Sequence, residues 1–208
     1  MFCRALREYE AVPAETTFAD GSTRTAIDVR RFSWIRPLAG DYAFDFDKVA
    51  PLYAGDPSSR QAWTEAITRT RSLARPSGAV ATLLAAQQAR RGAPTAARET
   101  AQKLTNAGTV AILTGQQAGA FGGPLFTLLK AITAIQLARR TAHDHQADVV
   151  PIFWVDAEDH DWDEVESCTV LDQGFQPHTI TLPKPEGAGE RSVAALTLDA
   201  RVEHSLDE

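Results

Sequence analysis

The rhythm of apolar and polar positions changes several times along the chain. Over about the first 50 residues, acidic, aromatic and turn-forming residues mix without a single period, as in LAGDYAFDFDKVAPLYAGDP. This predicts loops and short strands packed by Phe44, Phe46, Leu52 and Tyr53. After Pro57, Ser58 and Ser59 offer an N-cap for a helix through about Leu73, with Trp63, Ile67 and Thr70 on one face. Pro76 stops that helix. Ser77 is placed to cap a second one, carrying Val80, Leu83, Leu84 and Gln87 and ending at Gly92. Pro94 opens a third that runs to about Asn106, with Gly108 in the C′ position. The three helices read as an antiparallel preamble.

At Thr109 the pattern becomes TVAILTG, a short β-branched and apolar run of the kind that forms a buried parallel strand. The Gly-rich connection GQQAGAFGGP follows. Pro124 then suits the first position of a helix, PLFTLLKAITAIQLARR, whose Leu125, Leu128, Leu129, Ile132, Ile135 and Gln136 keep helical spacing. Arg139 and Arg140 fall in its last turns, where cations complement the helix dipole. A polar break, HDHQAD, precedes a second apolar run, VVPIFWV. Strand, loop, helix and strand predict a right-handed βαβ unit of a doubly wound α/β sheet. Past Glu166 the runs CTVL, HTITL and VAALTL read as three further strands or strand fragments, joined by the turn PKPEGAGE. The pattern thus divides the chain into an irregular and helical segment, 1–108, packing on the start of a parallel-sheet core, 109–208. One βαβ unit has too few layers to close an α/β domain, so the chain reads as the N-terminal portion of a longer protein.

Composition narrows the class. With 208 residues, 44% hydrophobic and 23% charged, the chain can bury a core and stands apart from disordered sequences. No stretch approaches the roughly 18 to 20 apolar residues of a membrane span, and MFCRALREYEAV lacks a signal-peptide core, so no membrane partner and a cytoplasmic location are expected. Lys and Arg number 21 against 27 Asp and Glu, a net charge of −6, which argues against nucleic acid as a partner. The charge is unevenly spread: residues 1–108 carry 15 basic and 11 acidic side chains, and residues 109–208 carry 6 and 16. Seven carboxylates fall between Asp156 and Glu166 with no base among them, a density that needs water, a cation or hydrogen-bond donors to relieve it. Cys3 and Cys168 have no CxxC spacing and read as reduced thiols. Cys168, in an apolar run beside acids, is a poor nucleophile.

In open α/β sheets ligands sit beyond the carboxyl ends of the strands. After the first strand, backbone N–H groups of the glycine loop and of the helix start at Gly123 to Phe126 suit a phosphate or carboxylate. Thr114, Gly115, Gln116, Gln117 and Thr127 offer further contacts. The loop matches neither GxGxxG nor GxxxxGK[ST], and glycines needed only for a tight turn would look the same. Lys130 either reaches back to such an anion or stands solvated on the helix. After the second strand come Glu158, Asp159, His160 and Asp161. Carboxylates beside an imidazole suit a general base or a substrate ammonium, or they ligate a divalent cation; the bland alternative is a solvated acidic loop capping the next helix. Trp154 and Trp162 read as packing residues, and His143 and His145 as surface residues of a polar turn.

The strings VAILTGQQAGAFGGPLFTLLKAITAIQLA and VVPIFWVDAEDHDWDEV resemble the cysteine-adding enzymes of bacillithiol biosynthesis, the BshC family. The matching elements are TGQQ (114–117), GPLFT (123–127) with Lys130, and FW followed by EDHD (158–161), in one order and spacing. FDKVAPLY and the helical preamble are similar too. The resemblance implies a Rossmann-like core, with a later half and a coiled coil for homodimerisation that lie outside this chain. It implies a ligase joining cysteine to the amino group of glucosaminyl-malate. Activating a free carboxylate ordinarily proceeds through an acyl phosphate or acyl adenylate. ATP or another adenine nucleotide, with Mg2+, is compatible with that route, although the sequence fixes neither cofactor nor metal. On this reading the 115–127 segment holds phosphate or malate carboxylate, Glu158, Asp159 and Asp161 hold ammonium groups, and His160 deprotonates the attacking amine. Two other readings stay open: a hydrolase whose DAEDHD loop holds a catalytic metal, and a binding or assembly module without turnover.

Overall fold

The computed structural model describes residues 15–17, 21, 23–25, 28, 30 and 32–205; Cys3 and the rest of the N-terminal segment lie outside the described residues. The chain forms two compact units, residues 1–75 and 76–208. The helices after Pro76 fall in the same unit as the parallel strands.

In the first unit, β1 (Glu15–Thr17) and β2 (Thr23–Thr25) pair antiparallel. Helix α1 (Pro37–Phe44) is followed by two 3-10 turns at Phe46–Lys48 and Ala50–Leu52. The rings of Tyr42, Phe46 and Tyr53 lie together, Tyr42 and Tyr53 with centroids 4.8 Å apart. Phe46 is buried as expected, but Leu52, the last residue of the second 3-10 turn, is exposed. Helix α2 (Arg60–Ser72) begins where the serines predict: the Ser59 hydroxyl accepts the Ala62 N–H at 3.2 Å. Ile67 is its buried residue.

The second unit opens with α3 (Ser77–Arg90) and α4 (Thr95–Gln102), the latter continued by a 3-10 turn at Lys103–Thr105. Ser77 is the first residue of α3 and not its cap, since the restricted backbone of Pro76 occupies the N-cap position. The inward face of α3 carries Ala81, Leu84, Ala85 and Gln88, and leaves Val80 and Leu83 exposed. Gly92 ends the helix region at φ +62°. Gly108 is not a C′ residue: the preceding turn closes at Asn106, and the Gly108 N–H donates to the Asn106 side chain at 2.9 Å.

At the centre, β3 (Val110–Gln117) runs parallel to β4 (Val149–Asp156), from Val110 opposite Val149 to Gln117 opposite Asp156. Helix α5 (Leu125–His145) connects them and packs on both. It buries the small residues Ala134, Ala138 and Thr141, which allow a close approach to the sheet. Leu125, Leu128, Leu129, Ile132 and Ile135, which the spacing predicts as the inner face, are exposed. The helix also absorbs HDH, predicted as a turn. His143 and His145 sit in its last turn, and Gln146 ends it in the left-handed region at φ +47°.

After β4, the single turn α6 (Trp162–Val165) leads to an antiparallel hairpin of β5 (Ser167–Leu171) and β6 (Pro177–Thr181). That hairpin is a separate sheet and does not extend the parallel pair. VAALTL, predicted as a strand, instead holds a 3-10 turn at Val193–Ala195, before α7 (Arg201–His204). Its apolar side chains are used differently: Val193 and Leu196 pack with Ala188 and Val202 against a core of Ala120, Trp162, Val165 and Leu182. Among the described residues no helix is long and apolar enough to cross a membrane. The fold class is α/β, with one parallel strand–helix–strand unit in the second of the two units.

Candidate functional site

The two segments singled out in the sequence leave the sheet at the same edge. Gln116 and Gln117 belong to β3, not to the loop, because each has a register partner, Val155 and Asp156. The Ala118 N–H donates to the Asp156 carbonyl at 2.9 Å, so the strands finish level. Thr114 lies further up β3, paired with Phe153.

From Ala118 the chain folds tightly back on itself. A Cβ at Gly119 would stand 2.7 Å from the Gly123 Cα, and Gly123 lies at φ +76°, ψ −167°, a conformation essentially reserved for glycine. This brings the Thr127 hydroxyl under Gly123, where it is buried without a protein hydrogen-bond partner. The Cys168 thiol donates to the Gly123 carbonyl at 3.6 Å, so it serves to hold this loop from behind. The first amides of α5 follow directly, the anion-attracting end of a 21-residue helix.

Lys130 reaches back along α5 to the strand end. Its ammonium donates to Gln116 Oε1 at 2.7 Å and to the Gly115 carbonyl at 3.3 Å, over the Phe126 ring. The Gln116 amide donates to Gln117 Oε1 at 2.8 Å, and the Gln117 amide donates to Glu164 Oε2 at 2.6 Å.

On the other side, the acidic loop is ordered by its own backbone. The Asp159 carboxylate accepts the N–H groups of His160 at 2.7 Å and Asp161 at 3.2 Å, and that of Asp156 accepts the Glu158 N–H at 3.3 Å. Val193 and Ala194 donate their N–H groups to the carbonyls of Asp159 and Ala157, both at 2.8 Å, pinning the loop from the 3-10 turn. The Asp159 carboxyl is held below the ordinary carboxylate range, first by the Asp161 N–H and then by that of His160, with a further hydrogen bond from the Gln117 side chain. Through Gln117 the TGQQ strand end thus reaches Glu164, on the turn that follows the EDHD loop. The His160 imidazole is 72% exposed, and its Nδ1 is 3.9 Å from Asp159 Oδ1, beyond hydrogen-bond reach. Glu158 and Asp161 also face solvent. Trp162 packs in the core at 3% exposure, with its indole N–H unpartnered, whereas Trp154, also read as packing, is exposed on β4.

Among the described residues no three His, Cys, Asp or Glu side chains form a group that could hold a metal ion. His143 instead meets Asp144, 2.9 Å from ring nitrogen to carboxylate. Sequence reasoning missed two contributors, Glu164 and the Val193–Ala194 turn. Their partners lie 47 and more than 30 residues away, and no local pattern signals them.

Residues 25–208 match the family model described as "Bacillithiol biosynthesis BshC, N-terminal Rossmann-like domain". Three similar proteins carry the name "Putative cysteine ligase BshC". That of Salinibacter ruber is 40% identical over 131 residues, 63% of this chain and 24% of the relative. That of Symbiobacterium thermophilum is 35% identical over 169 residues, 80% of this chain and 30% of the relative. That of Heliobacterium modesticaldum is 38% identical over 121 residues, 54% of this chain and 22% of the relative. The chain therefore spans less than a third of the length of each of these relatives.

Proposed function

Since this chain belongs to the BshC family, as its N-terminal Rossmann-like domain, we propose that it supplies the strand-end part of a ligase that joins cysteine to the amino group of glucosaminyl-malate in bacillithiol biosynthesis. The observation that carries this reading is the meeting of two chemically opposite segments at one sheet edge, where the Gln117 amide donates to Glu164 just past the acidic loop. A donor-rich strand end and helix start lie on one side, and an ionised acidic loop on the other.

Amide formation creates a C–N bond, breaks a C–O bond of the carboxylate and releases a proton from the attacking amine. The carboxylate oxygen is a poor leaving group until it is activated, and an adenine nucleotide supplies that activation when bound. The folded-back Gly119–Gly123 loop, where a Cβ would collide with the backbone, and the first amides of α5 fit phosphate or malate carboxylate oxygens. Asp159, ionised across the neutral range, with Glu158 and Asp161, holds a substrate ammonium. His160, exposed at the loop's tip, takes the proton from the attacking amine.

The test is steady-state turnover of the full-length protein carrying His160→Asn. We expect kcat to fall by about 10²-fold or more, the usual scale of a lost general base. Unchanged turnover would remove His160 from the mechanism.

A further inference from the structure

We propose that Glu164 is a positioning residue of this site: it terminates a one-directional hydrogen-bond chain, Lys130 to Gln116 to Gln117 to Glu164, that fixes both glutamine amides at the strand end. The inference rests on the site reading above and assigns a role to a residue outside the TGQQ, GPLFT and EDHD segments.

The direction of the chain follows from its two ends. An ammonium only donates, so Gln116 must turn Oε1 to Lys130; an ionised carboxylate only accepts, so Gln117 must turn its amide nitrogen to Glu164. The middle bond, from Gln116 Nε2 to Gln117 Oε1, is then the one arrangement consistent with both ends. With a cation at one end and an anion at the other, each amide dipole is aligned with its neighbours, and the bonds reinforce one another. The chain uses one of the two amide hydrogens of Gln116 and two of the three ammonium hydrogens of Lys130. What the strand end offers an incoming group is therefore N–H, held in place, which suits a carboxylate or phosphate oxygen. Without Glu164, the Gln117 amide loses its short charge-assisted bond and is left with the weaker pull of the Asp159 carboxylate, so both glutamine amides are held less firmly. α6 places Glu164 here because Trp162 and Val165 on the same turn are buried in the core with Ala120 and Leu182, which anchors the turn.

The experiment uses the full-length protein with side-chain 15N-labelled glutamine, as wild type, Glu164→Ala and Glu164→Gln. In the wild type the Gln117 amide hydrogens are expected to be shifted and slowed in exchange. Glu164→Ala should reverse most of this, and Glu164→Gln, whose Oε1 still accepts, should keep it. Steady-state kinetics on cysteine and glucosaminyl-malate should give a KM for glucosaminyl-malate raised about tenfold in Glu164→Ala, the scale of one charge-assisted hydrogen bond, with a smaller change in kcat and recovery in Glu164→Gln. Gln117 signals indifferent to Glu164→Ala, or signals that change while KM does not, would overturn the proposal. If the wild type fails to turn over these substrates, the ligase reading falls and the amide signals alone decide the role of Glu164.

Discussion

A Cβ placed on Gly115 would stand 2.8 Å from the carbonyl oxygen of Trp154, directly across the parallel pair. Backbone cannot yield there without breaking the ladder that brings Gln116 and Gln117 level with the acidic loop. Gly115→Ala is expected to destabilise the fold by about 1–3 kcal/mol, the usual cost of overpacking. Denaturant unfolding measures this, and a stability equal to wild type would show that the strands pair less closely.

Gly123 carries a different constraint. Its φ of +76° with ψ −167° excludes other residues, and a Cβ there would also press on the Thr127 hydroxyl at 3.3 Å. Gly123→Ala should cost about 1–3 kcal/mol in local strain. In the full-length protein its activity should fall further than its stability, since the loop and the first amides of α5 move together. Comparing residual activity with thermal midpoint separates the two.

Helix α2 depends on its cap. Ser59→Ala removes the acceptor for the Ala62 N–H and should lower stability by about 1 kcal/mol, with Ser59→Asp close to neutral. A Ser59→Ala variant as stable as wild type would mean that the neighbouring Asp56 turn supplies the cap instead.

Asp159 sets the pH response of the acidic loop. Its carboxyl titrates below its ordinary value because backbone N–H groups of Asp161 and His160 bond to the ionised form. The stabilisation is therefore fully present above the ordinary Asp value of about 3.9 and is lost as pH falls through the lowered one. A carbon-detected titration should place the Asp159 midpoint below that of an exposed aspartate, and loop stability should be flat from neutral pH down to about 5. A midpoint at or above the ordinary value would show that the Asp159 bonds do not hold in solution.

The outward face of α5 has its own consequence. Leu125 is 71% exposed and Leu128 57%, in a stripe continued by Leu129, Ile132 and Ile135. Apolar patches of this kind associate in water. Light scattering on the 208-residue chain should report self-association that Leu128→Lys with Leu129→Gln reduces. A monodisperse wild-type chain at high concentration would contradict the expectation.

The parallel pair was legible in the sequence because TVAIL and VVPIF are apolar runs of strand length bounded by turn residues, and the intervening helix has unmistakable spacing. Its orientation was not. Large residues at helical spacing suggest the buried face, but the sheet selects Ala134, Ala138 and Thr141 because small side chains let the backbone come close. The strand's extension through Gln116 and Gln117 was hidden as well, since two polar residues after a glycine look like a loop until a register partner is known. The acidic loop was visible as composition. Its order was not, because it depends on N–H groups of the Val193–Ala194 turn, in a run whose alternation mimics a strand. Glu164 was one carboxylate among seven, distinguished only by Gln117, 47 residues away.

The most direct test of the central claim is mass-spectrometric detection of bacillithiol formed from cysteine and glucosaminyl-malate by the full-length protein, with and without ATP. Product should depend on the protein and disappear in the Glu158→Gln, His160→Asn double variant, with the ATP arm identifying the activation route. A folded full-length protein that forms no product under either condition would contradict the claim.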